Sequence, residues 1–346
     1  QTQEGQMQVR HQYIERASGR IYEEHPFADR LVRWMYHPLR EHAPALFNPL
    51  SSAKFCEWLG RINYDLDLPL WQRFNARRHL NALARLGVRL HECEVPVSDL
   101  DTPRKIFERR IRYTECREMD PDPRKLAAPA DSRMLWGSLR QSDSIYLKDK
   151  FFDLVELLGI EHQRWCSFFR AADFGVFRLT PDKYHYNHVP VSGTIRDQYE
   201  INGRYHACNP GAVVAQVTPF SKNRRLVTII DTDVPDGSHM GLVAMIEVVA
   251  LMIGDLHPCY CADHAGYAPI EPQEIGMFLR RGQPKSLFRP GSSTVVLLFE
   301  PERVRCSEDI LLNQQRTDVT SRFSVGFGAP LAETDVQVRS TIGAAV

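Results

Sequence analysis

The chain has 346 residues, with 43 Lys and Arg balanced by 43 Asp and Glu, 43% hydrophobic residues and 25% charged ones. This is the make-up of a globular protein able to bury a full core, as one large domain or two modest ones. It lacks the basic excess of a nucleic-acid binder, so no nucleic-acid partner is expected. Eight cysteines without regular spacing read as reduced thiols in a cytosolic compartment.

The polar start, QTQEGQMQVRHQ, has no apolar signal core, and residues 1–12 read as a disordered tail. From about residue 13 to 90 the pattern is helical. FADRLVRWMYHPLREH and LWQRFNARRHLNALARLG space apolar residues three and four apart, and the second stops at Gly87. Trp34, Tyr36, Trp58 and Trp71 lie among many arginines there, a mixture suited either to a membrane surface or to an ordinary helix pair with one face buried. DTPRKIFERRIRY starts another helix, with Asp101 or Thr102 as cap and Pro103 in the first turn.

After the Pro/Asp-rich stretch DPDPRKLAAPADSR (120–133) the pattern changes. HVPVSGTIRDQYEI, GAVVAQVTPF, RLVTIIDTDV, GLVAMIEVVALMI and STVVLLFE are β-branched runs between turn residues, with one helix expected in DKFFDLVELLG. The fold class is therefore α+β: a helical N-terminal region (13–119) packed on a β-rich domain (120–346) of short, mainly antiparallel strands. The longest apolar stretch, residues 241–256, is broken by Glu247 and too short to cross a bilayer, which takes roughly 20 residues. Membrane contact, if made, is expected to be peripheral.

Three places could carry chemistry. In PDKYHYNHVP, His185 and His188 are three apart; in a strand this spacing sends the two rings to opposite faces, giving them different roles. Asp131, in APADSR, reads alone as a turn former. In FRPGSSTVVLLFE, small residues Gly291, Ser292, Ser293 and Thr294 precede a buried apolar run. HPCYCADH also gathers His257, Cys259, Cys261 and His264, but Cys-x-Cys is tighter than usual zinc spacing and no second pair follows, so no metal is assigned.

Taken in order, these segments resemble the phosphatidylserine decarboxylase family of pyruvoyl-dependent enzymes, from about residue 95 to 335. FERRIRYTECREMDPDPRKLAAPADSR is similar to the stretch leading into the family's Pro-Ala-Asp-Gly motif. YLKDKFFDLVELLG, YHYNHVPVSGTI and GSSTVVLLFE resemble its Leu-rich segment, its paired-histidine motif and its self-cleavage site. The resemblance implies a proenzyme cut between Gly291 and Ser292 into a large chain, 1–291, and a small chain, 292–346. It implies that Asp131 orients His188, and that His188 activates Ser292 for attack on the Gly291 carbonyl. A covalent pyruvoyl group then derives from Ser292, or from Ser293 in the alternative register, and condenses with the substrate amine; His185 returns the proton after carbon dioxide leaves. The general logic is that of a serine served by a histidine and a carboxylate, with a carbonyl cofactor as electron sink.

Two departures stand out, the first bearing on substrate and the second removing a glycine's backbone freedom. The family's Asp-Tyr-His-Arg-x-His reads Lys183-Tyr184-His185-Tyr186-Asn187-His188 here, and its Ala-Asp-Gly reads Ala130-Asp131-Ser132. The expectation is a cytoplasmic, peripherally membrane-associated enzyme that makes phosphatidylethanolamine from phosphatidylserine; a homodimer is compatible with it. The alternatives are a pyruvoyl decarboxylase acting on a soluble amino acid or other amine, and a non-catalytic lipid-binding or carrier-like protein. PVSGTIRDQYEINGRYHACNP has the hairpin pattern of lipoyl carriers but no convincing lysine in a tight turn.

Overall fold

A computed structural model describes residues 10–24, 88–100, 102–140, 152–180, 182–203, 219–249, 256–263, 265–268, 273–289 and 293–346. The two helices expected over 27–42 and 70–87 lie outside the described residues, as do Gly291, Ser292 and His264.

Sixteen strands are described. The first five are β1 (Gln12–Glu15), β2 (Ile21–Glu23), β3 (Lys125–Ala127), β4 (Ser132–Ser138) and β5 (Asp173–Leu179). They are followed by β6 (Tyr186–His188), β7 (Gly193–Ile201), β8 (Arg225–Asp231), β9 (Leu242–Val249), β10 (Leu256–Pro258) and β11 (Phe278–Leu279). The last five are β12 (Pro284–Phe288), β13 (Ser293–Phe299), β14 (Val304–Cys306), β15 (Glu333–Val336) and β16 (Thr341–Ala345). Ten of them form one long sheet in the order β11-β7-β8-β9-β13-β5-β4-β15-β1-β2. Its described pairings are antiparallel except β1 with β15. Two three-stranded sheets, β10-β12-β6 and β14-β16-β3, complete the set.

The apolar run VVLLF explains the centre of the long sheet. A strand buried on both faces reads as a continuous apolar run, and every residue of β13 is buried between β9 and β5. Its side chains divide by the strand's period of two. Val295, Leu297 and Phe299 enter one core, with residues of the short strands around them; Val296 and Leu298 enter the other, under the helices. Those helices include α3 (Leu154–Leu158), α4 (Gln163–Phe168) and α7 (Arg322–Phe327). Before α3 in the chain come α1 (Pro103–Phe107) and α2 (Tyr113–Cys116); α5 (Pro219–Lys222) and α6 (Glu308–Gln314) lie between α4 and α7. Thr102 is the cap of α1, its hydroxyl accepting from the Lys105 N–H at 3.2 Å.

The start of the described chain departs from the helical expectation. Residues 12–24 form the β1–β2 hairpin rather than helix, and His11 and Gln12 are not a loose tail. The reason is a long-range electrostatic clamp that local periodicity cannot reveal. Arg178 on β5 makes paired hydrogen bonds to both Glu333 on β15 (3.0 and 2.6 Å) and Glu24 just after β2 (3.0 and 2.7 Å). His11 Nε2 lies 2.7 Å from Glu333, and the Arg133 guanidinium pairs with Glu24 while covering the Tyr13 ring. Burial opposes charge on both glutamates, but Arg178 outweighs it, with Arg133 at Glu24 and His11 at Glu333, and holds their carboxyls below the usual range.

A second ionic contact joins the layers. Glu247 on β9 and Lys285 on β12 are fully buried and 2.5 Å apart. Asn187 donates to Glu247 at 2.9 Å, and Ser286 also bonds to it. A register shift in the β12–β6 pairing between Pro284 and Ser286 lets consecutive residues reach the same carboxylate. Removing one member of a buried pair costs about 3–5 kcal/mol, whereas replacing both by apolar groups is often near neutral. Lys285→Met is therefore expected to lower unfolding free energy in urea by about that amount, and Glu247→Met with Lys285→Met to recover most of it. A double variant no more stable than the single one would count against the pairing.

Candidate active site

His188 is the last residue of β6 in the short sheet, and His185 lies just before that strand. Asn187 faces Glu247 on the long sheet, while Tyr186 and His188, its neighbours in β6, belong to the other side, among aromatic residues. Both histidine rings are fully buried. His185 lies flat against Phe107 of α1, ring centres 3.6 Å apart, and its carbonyl accepts from the Phe288 N–H at 3.1 Å.

His188 is held at both nitrogens. Nδ1 is 2.9 Å from the Gly282 carbonyl and Nε2 is 2.9 Å from the Tyr184 hydroxyl. Tyr113 meets the ring edge-on. Gly282 suits this contact because its φ is +79° and a Cβ there would fall 2.3 Å from the Met119 sulfur. Burial dominates the titration of His188. It pushes the pKa down to about 3, with the Gly282 bond and the Asp131 charge opposing that shift and Arg339 and Arg117 adding to it.

Asp131 forms no hydrogen bond to His188. Its carboxylate takes two hydrogen bonds from Arg117, at 3.0 and 2.6 Å, and one from the Val338 N–H at 2.8 Å. Arg117 in turn reaches Glu92 at 2.9 Å. Burial raises the Asp131 pKa, but Arg117 and the other donors more than offset it, so the group stays ionised. Asp131 thus acts on His188 through space.

Ser293 opens β13, paired with Val249 on one side and Leu179 on the other. Its hydroxyl and that of Thr294 are buried without a hydrogen-bond partner among the described residues. His257, Cys259 and Cys261 do not gather into a ligand set; among the described residues only His11, Glu24 and Glu333 come close enough together, and two arginines already occupy that cluster. The Cys259 thiol is pushed up to about 12, chiefly by burial.

The family model described as phosphatidylserine decarboxylase matches residues 104–326, well over half of the chain. The chain belongs to the phosphatidylserine decarboxylase family. It is thereby an enzyme of the carboxy-lyase class. It is 29% identical over 260 residues to phosphatidylserine decarboxylase proenzyme 2 of Oryza sativa subsp. japonica, a match covering 72% of this chain and 38% of that relative. With the phosphatidylserine decarboxylase proenzyme of Fusobacterium nucleatum it shares 23% over 317 residues, 91% of this chain and 95% of the relative. The proenzyme of that name from Stutzerimonas stutzeri is 32% identical over 221 residues, 59% of this chain and 69% of the relative. The chain thus spans well under half of the rice relative but nearly all of the Fusobacterium one.

Sequence reasoning missed the residues around the histidines. Tyr184 stood inside the quoted histidine motif and Arg117 inside the quoted stretch leading to Asp131, but Tyr267 and Gly282 come from distant segments with no local signal. Glu247 did carry one: an acidic residue inside an otherwise apolar strand needs a partner.

The depressed pKa of His188 has a measurable consequence. Unfolded, the imidazole takes a proton near pH 6.5; folded, it stays neutral to about pH 3. As pH falls from about 6.5, the unfolded chain binds the proton first, and stability drops by up to about 1.4 kcal/mol per pH unit from this group. In uncut protein, His188→Gln is expected to flatten the stability–pH slope between about pH 6 and 4 by close to one proton. An unchanged slope would mean that His188 is already charged in the folded state.

Proposed function

We propose that this chain is a self-cleaving, pyruvoyl-dependent decarboxylase that converts phosphatidylserine to phosphatidylethanolamine and carbon dioxide. The observation that carries the reading is the connection between β12 and β13. Residues 289–292 alone join Phe288, whose N–H is bound by the His185 carbonyl, to Ser293, paired on both sides in the long sheet. The Gly291–Ser292 bond therefore belongs to a four-residue link with anchored ends, which leaves β12 at the His185 end of β6, while His188 pairs with Pro284 at the other end of β12. A cut there leaves both new ends held.

In this reading Ser292 gives its hydroxyl proton to His188 while its oxygen bonds to the Gly291 carbonyl carbon. The C–N bond breaks, the nitrogen takes up the proton, and an ester replaces the amide. Loss of the Ser292 α-proton and departure of the Gly291 carboxylate leave dehydroalanine, and water then releases its nitrogen as ammonia. A neutral histidine is the form required of the base, and the buried His188 has that form at neutral pH. Asp131 supports its transient positive charge through space. Ser293 is the alternative origin of the group.

The residues next to the link suit a small covalent carbonyl group. The buried hydroxyls of Ser293 and Thr294 lack partners among the described residues, and either could donate to such a group. When formed, the pyruvoyl group supplies an electron sink for loss of carbon dioxide. His185, fully buried against Phe107, is assigned to hold the proton for the product carbon. The relatives' printed names support phosphatidylserine as substrate. Access to it is read as peripheral, through the residues before 88; no described helix is long and apolar enough to cross a membrane.

Intact mass of the denatured protein tests the reading, beside Ser292→Ala and Ser293→Ala. Two fragments parting at 291/292, the smaller one blocked, are expected from the wild type, and an uncut chain from Ser292→Ala. A cut one residue later, abolished by Ser293→Ala, would move the cofactor to Ser293. A folded, uncut wild type would sink the reading. Carbon dioxide release from phosphatidylserine vesicles but not from free serine is then expected of the cut enzyme; the reverse would assign a soluble substrate.

A further inference from the structure

Three buried groups of atoms are left unused by this chemistry: the Glu247–Lys285 pair, the Cys259 thiol, and the tyrosines behind His188. The hydrogen bonds of the tyrosines carry an inference furthest. Tyr184 Oη is 2.9 Å from His188 Nε2 and 2.7 Å from Tyr267 Oη. Tyr267 Oη meets both ends of one residue, the Ile111 N–H at 3.2 Å and the Ile111 carbonyl at 2.9 Å.

The donors in this chain follow from counting protons. A carbonyl cannot donate, so His188 Nδ1 carries a proton and gives it to Gly282. A neutral ring has no second proton, so Nε2 accepts from Tyr184. The Tyr184 oxygen then accepts from Tyr267, whose own oxygen accepts from the Ile111 N–H. Each hydrogen points toward His188. If the ring gains a proton, Nε2 becomes a donor and every link reverses: Nε2–H to Tyr184, Tyr184 to Tyr267, and Tyr267 to the Ile111 carbonyl. No hydroxyl or ring nitrogen loses a partner in either state, because Ile111 presents a donor and an acceptor to the same hydroxyl.

We propose that Tyr184 and Tyr267 serve His188 as a reversible chain of hydrogen bonds that satisfies the buried ring in both its neutral and its protonated form, Tyr184 passing the proton at Nε2 and Tyr267 positioning Tyr184. The proposal rests on the reading of His188 as the base of self-cleavage. Because Tyr184 fills the Nε2 lone pair and Nδ1 is a donor, the serine proton reaches the ring by way of Tyr184, whose hydroxyl passes its own proton to Nε2 as its oxygen takes the one from Ser292, and the return runs the same way. Water would otherwise perform this reorientation, and here two hydroxyls rotate instead. The other groups around the ring are fixed in charge or do not bond to it. Tyr113 contacts it edge-on, Arg339 lies over the Tyr113 ring, and Asp131 and Arg117 are tied to each other. Tyr267 also packs against Tyr113 and Tyr186, so a phenylalanine there keeps the ring contacts and loses only the hydroxyl.

The two links differ in a way that can be tested. Without the Tyr184 hydroxyl, Nε2 loses its partner in both states. Without the Tyr267 hydroxyl, the neutral state keeps the Tyr184 donation to Nε2, and only the protonated state is left with a hydroxyl that has nowhere to point. The experiment combines the rate of self-cleavage in freshly refolded protein with nitrogen-15 NMR of labelled histidines in the uncut Ser292→Ala, Ser293→Ala chain. Tyr184→Phe is expected to slow cleavage about tenfold or more, and Tyr267→Phe about threefold to tenfold, as for loss of a bond to a charged group. The uncut chain is expected to show His188 with its proton on Nδ1. Tyr267→Phe should leave that signature in place, while Tyr184→Phe shifts the Nε2 resonance. A merely structural role would not separate the two variants in this way. If His188→Gln cleaves at the wild-type rate, the reading of the base fails, whatever the tyrosines do. If His188→Gln is inactive while Tyr267→Phe, folded to the wild-type melting temperature, cleaves at the wild-type rate, the chain of tyrosines is overturned. Should Tyr184→Phe fail to fold, Tyr267→Phe decides alone.

Discussion

The layers of this protein depend on one contact, the buried pairing of Glu247 with Lys285 between the long sheet and the β10-β12-β6 sheet. A carboxylate and an ammonium without solvent are stable only when each satisfies the other and their remaining valences find partners. Asn187 and Ser286 supply those partners, and both belong to the short sheet. The pair therefore does more than join β9 to β12. It fixes which face of β6 looks inward and so sends His188 to the opposite side, into the aromatic cluster where its nitrogens are satisfied. A slip of one residue in β6 would exchange Asn187 for Tyr186 or His188 at the carboxylate. The polar network thus specifies register at a place where apolar packing alone would be permissive.

The second electrostatic cluster has a similar logic at the sheet's edge. β1 is the parallel addition to β15, a short edge pairing that needs side-chain support. Arg178 supplies it by holding Glu333 from its own sheet and Glu24 from the hairpin with one guanidinium, a bidentate geometry that lysine could not reproduce. The clamp joins residues more than 300 positions apart in the chain through the His11 and Glu333 contact.

What the sequence made legible follows the range of the interaction. The central strands β8, β9 and β13 announced themselves as apolar β-branched runs, and the cap of α1 was readable from Thr102 and Pro103, because those signals are local. Strand parity accounts for the separation of Asn187 from Tyr186 and His188, whereas His185 lies just before β6. The hairpin at residues 12–24 was read as helix, since its stability comes from Arg178 and β15 and not from its own pattern. Glu247 was noticed only as a break in an apolar stretch; its meaning lay in Lys285, 38 residues away. Asp131 was expected beside His188, but Arg117 lies closer to hand and takes both carboxylate oxygens.

The strands that follow the proposed cut are interleaved with those before it. β13 lies between β9 and β5, β15 between β4 and β1, and β16 between β14 and β3. The small chain would thus have no fold of its own and the large chain would lack the middle of its sheet. Folding has to be complete before the bond is broken, because the pieces are threaded through one another. Once cut, the protein would be held in shape by the slowness of its unfolding as much as by its equilibrium stability, since recovery would require two separate molecules to meet. The mature form would then carry a memory of a single chain that it could not easily rebuild.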